Sequence, residues 1–134
     1  MIMQNNIKQL LREQIEMMPK KVIVEKFLDF VKDNLGLTKP FKLTLTSNKD
    51  GIRTTAVYNH VENNVTIYIK NRALVDVLRS VAHELVHHLQ NQRGELDGTK
   101  NEGGDGSPWE NEANAKAGEL IRIFGRQNPE IYES

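Results

Sequence analysis

The sequence predicts an α+β fold, and three observations support that prediction. Hydrophobic residues recur at helical spacing before residue 36 and again after residue 72. Between these regions, apolar and polar residues alternate over short segments, as they do in half-buried strands. Turns of only a few residues separate the segments, which favours pairing between chain neighbours. We therefore expect a small antiparallel three-stranded sheet packed against helices.

Two helices are predicted at the N-terminus. The first covers residues 2–18 and stops at Pro19, which cannot continue a helix. The second covers residues 22–35, and Gly36 provides its end. Its inward-facing side chains are expected to be Val22, Phe27, Phe30 and Val31.

Three strands are predicted next, over residues 41–46, 52–58 and 65–69. The last is the clearest, because β-branched and aromatic residues fill it. A long helix over residues 72–92 follows, with a regular apolar face and Gly94 at its end.

The C-terminal part of the chain contains a loop and a fourth helix. The loop, residues 95–106, is rich in glycine and acidic residues. Ser107 is the expected N-cap of the helix, which extends to about Phe124 and is followed by Gly125.

Size and composition predict one domain over residues 1–134. Its 134 residues are 38% hydrophobic and 27% charged, which suits a single core with a soluble surface. We divide the domain into a helical N-terminal part, residues 1–36, and a core, residues 41–125. No signal peptide is expected, and no apolar run approaches the roughly 20 residues of a membrane span. A membrane is therefore not expected as a partner.

Charge and cysteine content narrow the choice of function further. The 18 basic and 18 acidic residues give a formal net charge of zero, so nucleic acid is not an expected partner. Residues 1–40 contain seven basic and five acidic residues, too small an excess to change that expectation. The chain has no cysteine, which fits a cytoplasmic location and leaves histidine and carboxylate as the available metal ligands.

The most informative segment is an H-E-x-x-H motif, residues 83–87, inside the long helix. Residues four apart lie on one face of a helix, so His83 and His87 can both reach one zinc ion. Glu84 lies one step round the helix, where a carboxylate can act on a zinc-activated water. This spacing indicates a zinc hydrolase.

A third protein ligand is expected, because catalytic zinc sites usually have three. Glu110 shares the apolar face of the last helix, where a buried carboxylate needs a compensating charge, and is the preferred candidate. Glu112, on the solvated face, is the alternative ligand. Glu110 could instead complete a capping box with Ser107. His88 projects away from His87 and is expected on the surface.

Two segments resemble the gluzincin metallopeptidases, most closely the short members of the ImmA/IrrE type. One is Ser-Val-Ala-His-Glu-Leu-Val-His-His-Leu, residues 80–89, and the other is Glu-Asn-Glu-Ala-Asn-Ala-Lys-Ala, residues 110–117. The second is similar to the family's E-x-E-A-N-x-F-A helix, although Lys116 replaces an aromatic residue. The strand ending at Ile69 resembles the family's edge strand. The resemblance covers roughly residues 41–125.

The resemblance implies a minimal zincin-like fold and a zinc-dependent peptidase. His83, His87 and Glu110 would hold zinc, Glu84 would be the general base, and Asn114 would support a zinc-binding histidine through a hydrogen bond. A peptide or protein would be the substrate, bound along the strand 65–69 by β-addition. The setting would be a bacterium or a phage. No histidine or tyrosine matches a transition-state stabiliser, so a catalytically silent, zinc-stabilised binding or regulatory module is the alternative.

Overall fold

The computed structural model describes residues 20–48, 54–96 and 106–133 of the chain. They form an α+β arrangement of three helices and a small mixed sheet. In chain order the elements are α1 (20–35), β1 (Lys42–Thr46), β2 (Ala56–Asn59), β3 (Asn64–Tyr68), α2 (Leu74–Gln92), α3 (Pro108–Gln127) and a 3₁₀ helix (Pro129–Tyr132). The predicted helix over 2–18 and most of the loop over 95–106 lie outside the described residues. Among the described helices, none is long and apolar enough to cross a membrane.

The sheet is mixed, and the prediction of an antiparallel sheet was wrong. Its strand order is β1-β3-β2. β3 pairs antiparallel with β2 through a short hairpin, and it pairs parallel with β1, with Leu43 opposite Val65. The last strand is therefore the central one, which also corrects the expectation that it would be an exposed edge.

Burial explains why β3 takes the centre. Val65 and Ile67 are fully buried, whereas Val57 on β2 and Leu45 on β1 are 46% and 39% exposed. A central strand is covered by neighbours on both sides and favours the most apolar, β-branched segment. The chain crosses from one edge of the sheet to the other between β1 and β2, and β3 then inserts between them.

The core lies between the sheet and the helices, with α2 in contact with both β2 and β3. α1 contributes Val24, Phe27 and Val31, and the Phe27 ring packs edge-on against Phe124 of α3 at 4.9 Å between centroids. Val22 was expected to face inward, and this prediction was wrong, because its side chain is 64% exposed. It lies on the outer face of α1, beyond the stripe that faces α3.

The helix ends follow local rules, with one exception. Gly36 and Gly94 end α1 and α2 with φ of +66° and +75°, the left-handed conformation that glycine adopts without a Cβ clash. These two predictions are confirmed. Gly125 does not end α3, which continues to Gln127, and the Tyr132 ring lies where a Cβ on Gly125 would be.

Candidate metal centre

α2 presents two histidines on the face that borders an open cavity. His83 and His87 are one turn apart, with ring centroids separated by 4.9 Å. Their side chains are 18% and 12% exposed, so both rings reach the cavity from the edge of the core. The opposite face of the same turns carries Leu78, Val81 and Leu85, which are fully buried and hold the helix in place.

α3 brings a carboxylate to these two rings. One oxygen of Glu110 lies 2.8 Å from His83 Nε2, and the other lies 3.1 Å from His87 Nε2. The backbone N–H of Glu110 donates to the Ser107 hydroxyl at 3.1 Å. Ser107 therefore caps the helix through the backbone of Glu110, and the carboxylate contacts the histidines. The N-cap and the histidine contacts do not compete.

The spacing of the three groups suits one metal ion. One donor atom from each of His83, His87 and Glu110 can be chosen so that all three lie within 4.8 Å of one another. Ligands about 2.0–2.2 Å from a tetrahedral zinc ion are separated from each other by roughly 3.3 Å. The distances from the Glu110 oxygens to His83 Nε2 and His87 Nε2, 2.8 Å and 3.1 Å, are close to that value. The same separations also suit hydrogen bonds from imidazole to carboxylate. These residues therefore form a group that could hold a metal ion.

Glu84 is buried beside the group and also lines the cavity. Its side chain is only 7% exposed. Burial, and then the negative charge of Glu110, raise its pKa from 4.5 to about 8. Both causes penalise a second negative charge in the site, and a cation bound by the histidines and Glu110 would relieve that penalty. The charge balance of the site thus fits a divalent cation.

The surroundings of His83 favour its neutral form, the form that binds metals. Burial lowers its pKa, and nearby His87 lowers it further, whereas Glu110 raises it without reversing the net shift. The Asn114 side chain, one turn after Glu110, also interacts with His83 and favours its protonated form. Asn114 therefore lies beside a candidate ligand, where the resemblance expected it.

Glu112, the alternative ligand, does not join the group. Its carboxylate accepts hydrogen bonds from Gln90 at 3.0 Å and from Arg93 at 2.6 Å. Burial would raise the pKa of Glu112, but these hydrogen bonds and the Arg93 charge outweigh it and lower the pKa. Its role is to join the start of α3 to the end of α2.

The sequence reading missed Gln90. This side chain is fully buried, its carbonyl lies 2.8 Å from His87 Nδ1, and its amide donates to Trp109 O and to Glu112. Its position three residues after His87 and seven after His83, on the same face of the predicted helix, was the available signal. Only the packing of α3 shows what that residue contacts.

His88 is buried, and the expectation that it lies on the surface was wrong. Its Nε2 lies 2.7 Å from the Lys39 carbonyl, and its Nδ1 lies 2.7 Å from the Tyr58 hydroxyl. A carbonyl can only accept, so Nε2 donates and Nδ1 accepts from Tyr58. Burial is the main cause that lowers the pKa of His88. With both ring nitrogens occupied, His88 belongs to the core and lies outside the metal-binding group.

The cavity in front of the group has a volume of about 670 Å³. β2 forms one wall, and the start of α3 forms another. His60 and Arg79 are further polar residues of its lining, together with Tyr58. His60 therefore borders the cleft.

Comparison of the chain with protein-family models, with curated proteins and with solved structures gave no match. The case for a function consequently rests on the motif residues and on the geometry described above. Its strongest part is the convergence of His83, His87 and Glu110 from two helices on one point.

Proposed function

We propose that this chain is a zinc-dependent metallopeptidase of the gluzincin kind, similar to the short ImmA/IrrE-type enzymes. The observation that carries the proposal is the meeting of His83, His87 and Glu110 at the edge of a cavity that Glu84 also lines. Two imidazoles and one carboxylate form a ligand set that suits zinc and leaves a coordination position open.

The proposed chemistry assigns separate roles to the residues of this site. A bound zinc ion would supply Lewis acidity, activating water and polarising the scissile carbonyl. His83 and His87 hold the ion as neutral imidazoles, and Glu110 offsets part of its charge. Glu84 accepts a proton from the attacking water and delivers it to the leaving amine nitrogen. Burial keeps the Glu84 carboxylate poorly solvated, which strengthens it as a base.

The substrate proposed for this site is an extended peptide. β2 is an outer strand of the described sheet and borders the cavity, whereas β3 is central and cannot accept a further strand. A peptide can therefore pair with β2 through backbone hydrogen bonds. This replaces the sequence-based expectation that residues 65–69 would bind the substrate.

One observation favours the alternative, a zinc-stabilised binding or regulatory module without turnover. Tyr58 is the one tyrosine that lines the cavity among the described residues. Its hydroxyl oxygen lies 2.7 Å from His88 Nδ1. It is therefore not free to stabilise an oxyanion in this conformation. His60 and Arg79 are the cavity residues that could donate hydrogen bonds to one.

The test compares wild-type protein with Glu84→Gln and Glu119→Gln, the latter changing an exposed glutamate of α3. Metal content is measured after loading with zinc, and hydrolysis is measured on a library of unfolded-protein peptides. We expect all three proteins to bind one zinc ion, and Glu84→Gln to lose about 10²–10⁴-fold in rate. Full activity of Glu84→Gln would exclude Glu84 as the base. Zinc binding without any cleavage by wild-type protein would favour the binding module.

A further inference from the structure

Gln90 contacts both helices that supply the proposed metal ligands. It lies on α2, three residues after His87, and its side chain is fully buried. Its carbonyl oxygen is 2.8 Å from His87 Nδ1. Its amide nitrogen is 2.9 Å from Trp109 O and 3.0 Å from Glu112 Oε1, both near the start of α3.

The two acceptors on α3 determine the orientation of the Gln90 amide. Trp109 O is a carbonyl oxygen and Glu112 Oε1 is a carboxylate oxygen, so both require a donor. Turning the amide over would place its carbonyl against two other acceptors in a buried position, which is costly. The Gln90 carbonyl must therefore face His87.

That orientation determines which nitrogen of His87 carries the proton when a metal ion occupies the site. The Gln90 carbonyl oxygen can only accept, so His87 Nδ1 must be the donor. A neutral imidazole protonated at Nδ1 has its lone pair on Nε2. Nε2 is the atom that lies 3.1 Å from Glu110 Oε2, on the side of the candidate metal position.

We propose that Gln90 is a positioning residue for the metal site: it keeps His87 in the Nδ1–H form and holds the start of α3, which bears Glu110, against α2. The inference rests on the proposed metal site. The proposal goes beyond that site by assigning to one uncharged side chain both the tautomer of one ligand, His87, and the placement of another, Glu110.

A neighbouring residue provides a matched control. The side-chain amide of Gln92 also makes three hydrogen bonds. Its oxygen accepts from the backbone N–H groups of Thr38 and Lys39, and its nitrogen donates to Gly36 O. These bonds tie the end of α2 to the segment after α1 and do not involve the metal-binding group. Gln90→Met and Gln92→Met therefore remove the same number of hydrogen bonds at different places.

The first experiment measures zinc affinity of the full chain by competition with a chelator. We expect Gln90→Met to bind zinc about 10–100-fold more weakly than Gln92→Met. Equal zinc affinity in Gln90→Met and Gln92→Met would overturn the proposal.

The second experiment needs no metal and uses Glu110→Ala, because in zinc-free protein the Glu110 carboxylate is a competing hydrogen-bond acceptor 3.1 Å from His87 Nε2. Ring ¹⁵N shifts of His87 are measured by NMR in zinc-free Glu110→Ala protein at about pH 9, where free imidazoles are neutral. We expect the Nδ1–H form to predominate, and predominance of the Nε2–H form would overturn the proposal even if Gln90→Met fails to fold. If wild-type protein binds no zinc, the proposed function fails, while this measurement still tests the role of Gln90.

Discussion

Glu110 Oε1 lies 2.8 Å from His83 Nε2, although the two residues lie on different helices, α3 and α2. The other oxygen of Glu110 reaches His87, so a single carboxylate bridges both imidazoles. Glu112, two residues further along α3, instead pairs with Arg93. The contrast between these two glutamates leads to the first prediction.

Replacing Glu110 should weaken metal binding, whereas replacing Glu112 should not. We expect Glu110→Gln to lower zinc affinity by more than the roughly 10–100-fold typical of a residue that only supports a ligand. Glu112→Gln keeps an oxygen for Gln90 and should retain near wild-type affinity. Chelator competition measures both constants. The ligand assignment would fail if the two variants bound zinc equally well.

The raised pKa of Glu84 predicts how the stability of zinc-free protein depends on pH. A carboxyl with a pKa near 8 in the folded state and 4.5 in the unfolded state destabilises the fold as pH rises between these values. In chelator, Glu84→Gln should therefore be more stable than wild type by about 2–4 kcal/mol at high pH, since each pKa unit corresponds to about 1.4 kcal/mol. At about pH 4, below both values, the two should be nearly equal.

Urea unfolding at several pH values, in the presence of chelator, tests this prediction. Glu119→Gln is the control, because its carboxylate is 51% exposed and should give no such trend. Adding zinc should reduce the advantage of Glu84→Gln, since a cation stabilises the ionised carboxylate. A Glu84→Gln variant less stable than wild type at high pH in chelator would contradict the burial argument.

Tyr58 and His88 give a prediction about stability that is separate from metal binding. Tyr58→Phe removes the donor to His88 Nδ1 and an acceptor for Asn91, whose amide lies 3.0 Å away. We expect a loss of about 1–3 kcal/mol, the cost of leaving buried polar groups unpaired. Zinc stoichiometry should stay unchanged. Tyr132→Phe, at a residue 56% exposed, should have little effect on stability.

This pair of variants also tests whether Tyr58 takes part in catalysis. If its hydroxyl turned toward substrate, Tyr58→Phe would reduce the hydrolysis rate by much more than its stability loss accounts for. Unfolding curves and peptide hydrolysis are measured on the same preparations. Unchanged stability combined with a large rate loss would contradict the structural role described for Tyr58.

Two glycines should respond to alanine in opposite directions. Gly94 ends α2 at φ of +75°, so Gly94→Ala should destabilise the protein by about 1 kcal/mol. Gly118 lies inside α3, and among the described residues no atom beyond its own helical turns comes within 4 Å of the place a Cβ would take. Gly118→Ala should stabilise by about 0.5–1 kcal/mol through helix propensity. Thermal unfolding in chelator measures both, and a stabilising Gly94→Ala would be inconsistent with the described end of α2.

Much of the site could be predicted because its determinants are local. The spacing of His83 and His87 follows from helix geometry alone, and the position of Glu110 on the inner side of α3 follows from the period of that helix. Ser107 caps α3 as its sequence context indicated. These features depend on residues a few positions apart, so a single chain segment contains the information.

The remaining features depend on contacts between distant segments. The burial of His88 requires the Lys39 carbonyl and the Tyr58 hydroxyl, and the role of Gln90 requires the start of α3. The place of β3 at the centre of the sheet depends on competition among three strands for the same neighbours. Local periodicity and capping therefore determined the helices and the histidine pair. Tertiary packing decided the strand order and the partners of the buried polar groups, because a buried polar group must find its partner wherever the fold brings one.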